Sequence, residues 1–362
     1  MESIIYLMHI EWSWIKQRPQ YIAEGLTKKY HIEVIFRHGY KRSIYQKRKK
    51  KTKAELNPVY LIPGKLEKIP GIKRFNDFLF KNKVKKILKK TNAQKIYITS
   101  PTLVKYIPNK FNGKIIFDCM DDYVAMERSK QKQIEVFNHE RDLISRANSI
   151  IVTSLNLEKI IVDKFGVDKK KVFLVRNGFK GPILQKRNWK EDRSNKNTFT
   201  ISYFGTISTW FDFSILEQSL KKFPNLTYEL MGPIDEGTKI PQNPRIKYVG
   251  IVEHNQLFKK IEHSSALIMP FKVNQLIESV DPVKLYEYIN FDKNILTVRY
   301  KEISRFKDFV FFYTNSDEFN KSIFEILNTK KIKYSTTMRT KFLSENSWNN
   351  RVDNIIEIIK EM

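Results

Sequence analysis

The segment Asp281-Pro282-Val283-Lys284-Leu285-Tyr286-Glu287-Tyr288 combines a helix start, a cation and a carboxylate directly after an apolar strand. Asp281 suits the N-cap position and Pro282 suits the first helical position. The unpaired backbone N–H groups of a first turn, together with the positive end of the helix dipole, attract an anion. Lys284 adds a charge one turn into the helix, and Glu287 can accept hydrogen bonds from ribose hydroxyls. The segment therefore predicts a site for a diphosphate joined to a ribose, although an ordinary surface helix shows the same residues.

Four strands in the second half of the chain end in small or turn-forming residues. These ends are Gly205-Thr206, Gly232-Pro233, Gly250 and Pro270-Phe271. Glycine at a strand end lets a ligand approach the backbone closely. Each end alone is a common turn, but four in succession before the helix at Asp281 favour a shared binding edge.

Short β-branched and aromatic runs alternate with amphipathic stretches along almost the whole chain, which predicts an α/β fold of parallel sheets covered by helices. The predicted strands are 4–10, 32–36, 95–100, 114–118, 149–153 and 172–175 in the first half, and 200–204, 227–231, 246–249, 266–269, 295–298 and 310–313 in the second. The predicted helices are 19–28, 74–90, 131–147, 155–165, 213–222, 255–263, 282–289 and 317–327. Ligands bind beyond the carboxyl ends of parallel strands. We therefore expect a site in a cleft between two sheet domains.

The polar stretch that follows Gly181 and Pro182 has little apolar periodicity and is typical of a linker. We expect an amino-terminal domain of residues 1–180, a linker of residues 181–197 and a carboxy-terminal domain of residues 198–346. The amphipathic helix 347–362 is expected to cross back and cover the first domain.

Composition excludes several classes of protein. A chain of 362 residues with 41% apolar residues is long enough for two cores. The lone Cys119 excludes a disulfide framework and a multi-cysteine metal site, and the six histidines lack metal-ligand spacing. We therefore expect no metal and no cofactor. No apolar run has the length of a membrane span or the pattern of a signal peptide, so we expect a cytoplasmic protein.

Positive charge is concentrated in the first half of the chain. Residues 1–195 hold 43 basic and 19 acidic residues, whereas residues 196–362 hold 23 and 20. The first half contains two dense basic runs, from Lys47 to Lys53 and from Lys81 to Lys90. Such runs suit an anionic membrane surface or a nucleic acid backbone, and they also occur as plain solvated faces.

The order of the second-half motifs resembles the donor-binding half of GT-B glycosyltransferases, close to the retaining group called family 4 that includes bacterial cell-surface polysaccharide enzymes. The motifs that carry this resemblance are Tyr203-Phe204-Gly205-Thr206-Ile207-Ser208, Leu230-Met231-Gly232-Pro233, Val249-Gly250, Ile268-Met269-Pro270-Phe271 and the segment that starts at Asp281. In the first half, similar motifs are Gln17-Arg18-Pro19-Gln20-Tyr21-Ile22-Ala23, Phe117-Asp118-Cys119-Met120-Asp121-Asp122-Tyr123, Ala147-Asn148-Ser149-Ile150-Ile151-Val152-Thr153-Ser154 and Arg176-Asn177-Gly178. The resemblance covers most of the chain except residues 40–92. It implies the GT-B fold, in which two Rossmann-like parallel-sheet domains face each other across a cleft.

The resemblance also implies roles for residues of the second half. Gly205 and Thr206 would lie against the donor phosphates, and Gly232 and Pro233 would lie near the base or ribose. The backbone from Gly250 to Val252 would hold the base. The residues expected at the donor nucleotide are Gly205, Thr206, Gly232, Pro233, Gly250, Ile251, Val252, Ser279, Asp281, Pro282, Val283, Lys284, Leu285 and Glu287.

The chain departs from the family pattern at three places, one of which is residues 290–294, where the Gly and Pro usual after the helix 282–289 are missing. Many relatives carry a second glutamate eight residues before the one at Glu287, where this chain has Ser279, and Glu278 is one residue out of register. Many relatives also carry Arg and Lys after the first glycine turn, and residues 206–212 have neither. Lys284 is therefore expected to carry more of the phosphate charge, with help from Arg18 across the cleft.

Glycosyl transfer requires stabilisation of a departing diphosphate, which a helix amino terminus and Lys284 supply through preorganised charge. An inverting reaction also needs a carboxylate base, and Asp121 and Asp122 are the candidates, although Asp after a strand often caps a turn. In a retaining reaction, the resemblance implies that the leaving phosphate takes the proton. His9, Trp12 and Trp14, with Arg18, are predicted to line the acceptor side, although a lone His is more often structural.

The basic first half predicts an anionic or membrane-bound acceptor. We expect transfer of a hexose from a nucleotide-diphosphate sugar, with UDP as the first choice from its frequency in the family, to a lipid-linked or saccharide acceptor at the inner face of the cytoplasmic membrane. A GT-B-fold nucleotide-sugar epimerase is one alternative, and it needs no basic acceptor half. A nucleic-acid-binding protein is the other, but it leaves the strand-end glycines unexplained and no nucleic-acid-binding motif is recognisable.

Overall fold

The computed structural model describes residues 1–13, 16–38, 52–63, 66–67, 69–184, 198–329 and 331–362. The chain divides into two compact units, Met1–Asn177 with Trp348–Met362, and Gly178–Ser347. The first boundary lies three residues before the predicted end of the amino-terminal domain. Residues 185–197 of the predicted linker, and most of the basic run from Lys47 to Lys53, lie outside the described residues.

The described part of the first unit forms one sheet of seven parallel strands. The strands are β1 (Ser3–Met8), β2 (His31–His38), β3 (Glu55–Tyr60), β4 (Lys95–Ile98), β5 (Lys114–Cys119), β6 (Ser149–Val152) and β7 (Val172–Leu174), in the order β3-β2-β1-β4-β5-β6-β7. Six of them agree with predicted strands. The prediction missed β3 because Pro58 interrupts its pattern, and proline is tolerated there since β3 lies at the edge of the sheet.

Alternation along β1 places apolar side chains on both faces of this sheet. Ile4, Tyr6 and Met8 belong to one core layer, whereas Ile5 and Leu7 belong to the other. The helices of the first unit are α1 (Arg18–Leu26), α2 (Ile72–Thr91), α3 (Lys130–Arg146), α4 (Leu155–Lys159) and the final helix of the chain (Trp348–Lys360). The final helix packs on α1 in the layer that contains Ile4.

The described part of the second unit forms a sheet of six parallel strands. The strands are β8 (Phe199–Phe204), β9 (Leu226–Met231), β10 (Ile246–Gly250), β11 (Ala266–Met269), β12 (Asn294–Val298) and β13 (Val310–Tyr313), in the order β10-β9-β8-β11-β12-β13. Its helices are α5 (Phe213–Lys222), α6 (His254–Ile261), α7 (Gln275–Glu278), α8 (Val283–Asn290), α9 (Ser316–Thr329) and α10 (Thr336–Glu345). All six strands agree with the prediction, whereas α7 and α10 were missed.

Each sheet has one point where the strand order reverses. In the first sheet this point lies between β1 and β4, and in the second it lies between β8 and β11. Ligands of open parallel sheets bind beyond the carboxyl ends of the strands at such a point. The residues that follow these four strands are therefore the first place to look for a site.

Buried polar contacts hold the start of the predicted linker on the second unit. The amide of Asn290 accepts a hydrogen bond from the backbone N–H of Leu184 at 3.0 Å and donates to the carbonyl of Pro182 at 3.2 Å. The fully buried Arg339 donates to the carbonyl of Leu184 at 2.7 Å and to that of Asn290 at 3.0 Å. The residues from Gly178 to Leu184 therefore belong to the second unit.

Candidate functional site

Three glycines lie side by side where β8, β9 and β10 end. Gly205, Gly232 and Gly250 have φ values of 150°, 132° and 97°. The N–H of Gly205 donates to the carbonyl of Met231 at 2.9 Å, and the N–H of Gly232 donates to the carbonyl of Gly250 at 2.9 Å. The sequence prediction of adjacent glycine turns at one edge of the sheet is confirmed.

Close packing between two of these turns requires the absence of side chains. A Cβ on Gly232 would lie 2.1 Å from the carbonyl oxygen of Gly205, and a Cβ on Gly205 would lie 2.8 Å from Oη of Tyr203. Position 232 therefore requires glycine, because the backbone of Gly205 at the end of β8 leaves no room for a side chain. At Gly250, no described atom lies within 4 Å of the Cβ position, so this turn is open.

The helix α8 begins two residues after Asp281. Pro282 occupies the N-cap position, and no side chain caps the helix among the described residues. Asp281 is buried, and its carboxylate accepts hydrogen bonds from the Arg305 guanidinium and, at 3.5 Å, from Oη of Tyr286. The predicted N-cap is wrong because this distant arginine occupies the carboxylate. The N–H of Leu285 donates to the carbonyl of Pro282 at 3.1 Å, whereas those of Val283 and Lys284 have no acceptor among the described residues, so the amino end suits an anion.

Lys284 and Glu287 form an ion pair on the first turns of α8. Nζ of Lys284 donates to Oε2 of Glu287 at 2.9 Å and lies 5.2 Å from the centre of the Phe204 ring. A Cβ on Gly205 would lie 3.4 Å from Cε of Lys284. The lysine therefore runs beside the first glycine turn. The two side chains are 36% and 20% exposed, so both heads remain accessible to a ligand.

A buried tyrosine fixes α8 against the ends of two strands. Oη of Tyr288 accepts from the N–H of Phe204 at 3.2 Å and lies 3.1 Å from the Phe204 carbonyl and 3.2 Å from that of Ile268. These contacts join α8 to β8 and β11, the two strands at the reversal point of the second sheet. The structure thus brings Gly205, Lys284 and Glu287 together at the expected edge.

The other predicted donor residues have different environments. Leu285 is fully buried in the apolar core, so its side chain has no access to a ligand. Ser279 is also buried, with Oγ 3.4 Å from the carbonyl of Gln275, whereas Glu278 is exposed. Both Val283 and Val252 are partly buried, and Ile251 is 69% exposed. The carbonyls of Thr206 and Pro233 accept hydrogen bonds from Oη of Tyr203 and the N–H of Ile207.

His9 lies at the reversal point of the first sheet. Its Nδ1 is 2.8 Å from Oγ1 of Thr99, the residue that follows β4, and its ring packs edge-on against Tyr123. The hydroxyl of Tyr123 donates to the carbonyl of Thr99 at 2.7 Å. Burial lowers the pKa of His9 to about 4, against an opposing effect of the Asp118 charge. His9 is therefore neutral at physiological pH, and Thr99 holds its orientation.

The two candidate carboxylates after β5 differ. Asp122 is buried and accepts a hydrogen bond from the N–H of Ala125 at 2.9 Å, which is the turn-capping role. The Asp121 carboxylate makes no hydrogen bond with the described residues. Loss of solvent raises the pKa of Asp121 to about 6, an effect opposed by the Arg18 charge and increased by the Asp122 charge. Asp121 is thus the better candidate for a general base.

Arg18 has a different environment from the one predicted. It is 4% exposed, and its guanidinium donates to both oxygens of the fully buried Asp118, through Nε at 3.0 Å to each and through Nη2 at 2.8 Å to one. It also donates to the carbonyls of Val175 and Arg176 at 2.9 and 3.2 Å. The guanidinium thus forms a buried ion pair that joins α1, β5 and the end of β7, and its help in phosphate binding stays a prediction.

The predicted aromatic residues of the acceptor side are only partly described. Trp12 is partly buried and packs against the core layer that contains Ile4, and Trp14 lies outside the described residues. Their role at an acceptor remains a prediction.

No family model matches the chain. The teichuronic acid biosynthesis glycosyltransferase TuaH of Bacillus subtilis is 23% identical over 219 residues, which are 56% of this chain and 55% of TuaH. The chain thus spans about half the length of this curated relative. The structure of sucrose-phosphate synthase from Thermosynechococcus elongatus matches with a TM-score of 0.75 at 12% identity, over 100% of this chain and 99% of that chain.

The chain has the GT-B fold. Two further structures agree with this assignment. S. aureus TarM, solved with Fondaparinux, alpha-GlcNAc-glycerol and UDP, matches with a TM-score of 0.70 at 9% identity over 99% of both chains. The lipopolysaccharide outer core galactosyltransferase WaaB matches with a TM-score of 0.69 at 11% identity over 100% of both chains. The expected fold and the resemblance to GT-B glycosyltransferases are confirmed.

Two charged residues near the GT-B strand ends were missed from the sequence. Glu11 is buried two residues beyond His9, accepts a hydrogen bond from Oγ of Ser13 at 2.9 Å and lies 3.5 Å from Nδ1 of His38. Arg305 binds Asp281, as described above. Glu11 had a detectable signal, because it directly follows the predicted strand 4–10 and lies three residues beyond the end of β1, whereas Arg305 had none.

One group of described residues has metal-ligand chemistry. His31, Glu33 and Glu55 place three ligand atoms within 4.8 Å of one another. Nζ of Lys90 lies 3.4 Å from Glu33 and 3.3 Å from Glu55, so an ammonium already pairs with both carboxylates and offsets one of their two charges. These residues lie at the amino ends of β2 and β3, whereas His9 lies beyond the carboxyl end of β1.

No described helix is both long and apolar enough to cross a membrane.

Proposed function

We propose that this GT-B protein is a glycosyltransferase that moves a hexose from a nucleotide-diphosphate sugar to a saccharide or lipid-linked acceptor in cell-surface polysaccharide synthesis. The observation that carries the proposal is the uncapped amino end of α8 beside Gly205, with Lys284 and Glu287 on its first turns. Three relatives support the choice of reaction, since TuaH and WaaB are sugar transferases by name and TarM was solved with UDP.

Each part of the donor molecule has a matching chemical group. The diphosphate oxygens accept hydrogen bonds from N–H groups in the first turn of α8 and from the ammonium of Lys284. The carboxylate of Glu287 accepts hydrogen bonds from the ribose hydroxyls. The ion pair between the two side chains holds both heads in place before the donor binds.

The same groups favour bond cleavage. Negative charge on the diphosphate increases as the bond to the sugar breaks, so fixed positive charge stabilises the transition state more than the bound substrate. We propose a retaining reaction in which the leaving phosphate accepts the acceptor proton, and UDP as the nucleotide. The positive groups of α8 supply the charge stabilisation themselves, so we expect activity without a metal.

The acceptor side lies on the first unit in this proposal. Neutral His9 and the carboxylate of Asp121 offer hydrogen-bonding groups for acceptor hydroxyls at the carboxyl edge of the first sheet, and Asp121 would act as the base only in the inverting alternative. The basic character of residues 1–195 suits an anionic or lipid-linked acceptor at the inner face of the cytoplasmic membrane.

A thermal-shift screen against UDP, GDP, ADP and CDP tests the donor proposal, because a ligand that binds only the folded state raises the melting temperature. We expect UDP to give the largest rise and Lys284→Met to reduce it. Incubation with UDP-hexoses then separates the classes of enzyme. Release of UDP that depends on an added acceptor supports a transferase. Conversion of the donor to an epimer without an acceptor supports the alternative, and no shift with any nucleotide contradicts both.

A further inference from the structure

The helix α2 buries one narrow face against the first sheet. The buried residues of its 20 are Asn76, Phe80, Val84 and Ile87. At 100° per residue, the direction opposite to these four passes through a second set of side chains. This set, which we call the α2 outer face, is Phe75, Phe78, Asn82, Lys85, Lys86 and Lys89, and all six are exposed.

The charge of the α2 outer face is uncompensated. Lys85, Lys86 and Lys89 form no ion pair with the described residues. The one carboxylate of α2, Asp77, is already bonded by Nζ of Lys105 and by Oη of Tyr106, at 2.8 and 2.6 Å from its Oδ1. Three neighbouring ammonium groups therefore face solvent on the second half of the helix.

Two phenylalanines occupy the same face on the first half of the helix. Phe75 is 49% exposed and Phe78 is 59% exposed. They lie three positions apart and thus on adjacent turns of one face. Transfer of these two rings from water to an apolar medium is favourable.

We propose that the α2 outer face docks on an anionic lipid surface. A helix that lies in a membrane interface combines exposed aromatic side chains with lysines that reach the headgroups. The proposal deepens the proposed function, because a lipid-linked acceptor is presented at such a surface. It is tested without catalysis and without a nucleotide.

Co-sedimentation with vesicles measures this docking directly. The wild-type protein is expected to bind phosphatidylcholine vesicles that contain about one-third phosphatidylglycerol, and to be released by salt. Each lysine near an anionic surface contributes roughly fivefold to the partition coefficient, so Lys85→Gln/Lys86→Gln/Lys89→Gln is expected to bind about 100-fold more weakly. Phe75→Ser/Phe78→Ser is also expected to bind more weakly.

A control removes three charges elsewhere on the same unit, of which that of Lys169 is paired with Glu158. Lys169, Lys170 and Lys171 are exposed and directly precede β7, at the opposite edge of the sheet from β3. The variant Lys169→Gln/Lys170→Gln/Lys171→Gln is expected to retain most of the vesicle binding. Thermal unfolding of all three variants checks that the fold is intact.

Three results would overturn the proposal. The first is that the wild type binds pure phosphatidylcholine vesicles equally well. The second is that the control variant loses as much binding as the α2 lysine variant. The third is that the protein binds single-stranded RNA or duplex DNA and does not bind vesicles. UDP affinity of the same proteins is measured in parallel. A protein that binds UDP but no vesicles contradicts only the docking, and one that binds vesicles but no nucleotide contradicts only the donor site.

Discussion

Replacement of Lys284 by methionine removes one charge from the candidate donor site and retains most of the side-chain volume. The apolar part of the side chain still packs beside Gly205 and Phe204. Glu287 then loses its partner at 2.9 Å but stays partly exposed to water. The change therefore tests the charge rather than the fold.

The size of the effect follows from the environment of the ammonium. A hydrogen bond to a charged group contributes about 1.5–3 kcal/mol. Lys284 is 36% exposed and already paired with Glu287, so the net loss is expected to be about 1–2 kcal/mol, or roughly 5- to 30-fold in the dissociation constant of UDP. The effect on turnover should be larger, since charge on the diphosphate increases in the transition state.

Titration calorimetry with UDP and ligand-detected NMR with uridine separate the two halves of the site. Lys284→Met should weaken UDP much more than uridine, because uridine has no phosphate and is affected only through the lost ion pair that positions Glu287. The matched variant Glu287→Gln should weaken uridine, because it replaces the charged acceptor of the ribose hydroxyls with a neutral amide oxygen. Equal losses for both ligands in both variants, or unchanged UDP binding by Lys284→Met, would refute the assignment.

Three further predictions concern strand ends and buried charge. Gly232→Ala places a Cβ 2.1 Å from the carbonyl oxygen of Gly205, so UDP affinity should fall at least tenfold in calorimetry. Gly237→Ala is the control, because its φ is also positive but nothing lies within 4 Å, and it should cost only about 1–3 kcal/mol of backbone strain. Arg18→Met leaves Asp118 buried without its partner, and should lower the free energy of unfolding by about 3–5 kcal/mol in urea titrations. If the remaining folded protein also loses UDP affinity, Arg18 reaches the donor after all. The pKa of Asp121 is raised to about 6, so its ionisation destabilises the fold progressively from about pH 4 to pH 7. Asp121→Asn should therefore raise the melting temperature more at pH 8 than at pH 4.5, and a larger rise at pH 4.5 would contradict this sign.

Local sequence signals predicted the strands and the turns well. Runs of Ile, Val and Phe identified twelve of the thirteen described strands, and the glycines at 205, 232 and 250 identified one edge of the second sheet. Both signals come from residues that are adjacent in the sequence, and the same residues determine the backbone conformation of a turn. The one missed strand contains Pro58 and lies at an edge, where local pattern is weakest.

Contacts between distant residues accounted for the errors. Asp281 is a residue type that is favoured at the N-cap position, but its carboxylate pairs with Arg305. Arg18 directly precedes the predicted helix 19–28, as a ligand-binding cation can, but it forms a buried ion pair with Asp118, which is 100 residues away. In both cases a buried ion pair decided the role, and neither partner leaves a periodic pattern in the sequence.

A crystal structure of the protein with UDP tests the central claim most directly. We predict that the diphosphate lies against the N–H groups of Val283 and Lys284, within hydrogen-bond distance of the Lys284 ammonium, with the ribose hydroxyls on Glu287. A diphosphate bound elsewhere on the second unit, with the amino end of α8 unoccupied, would contradict the proposed donor site.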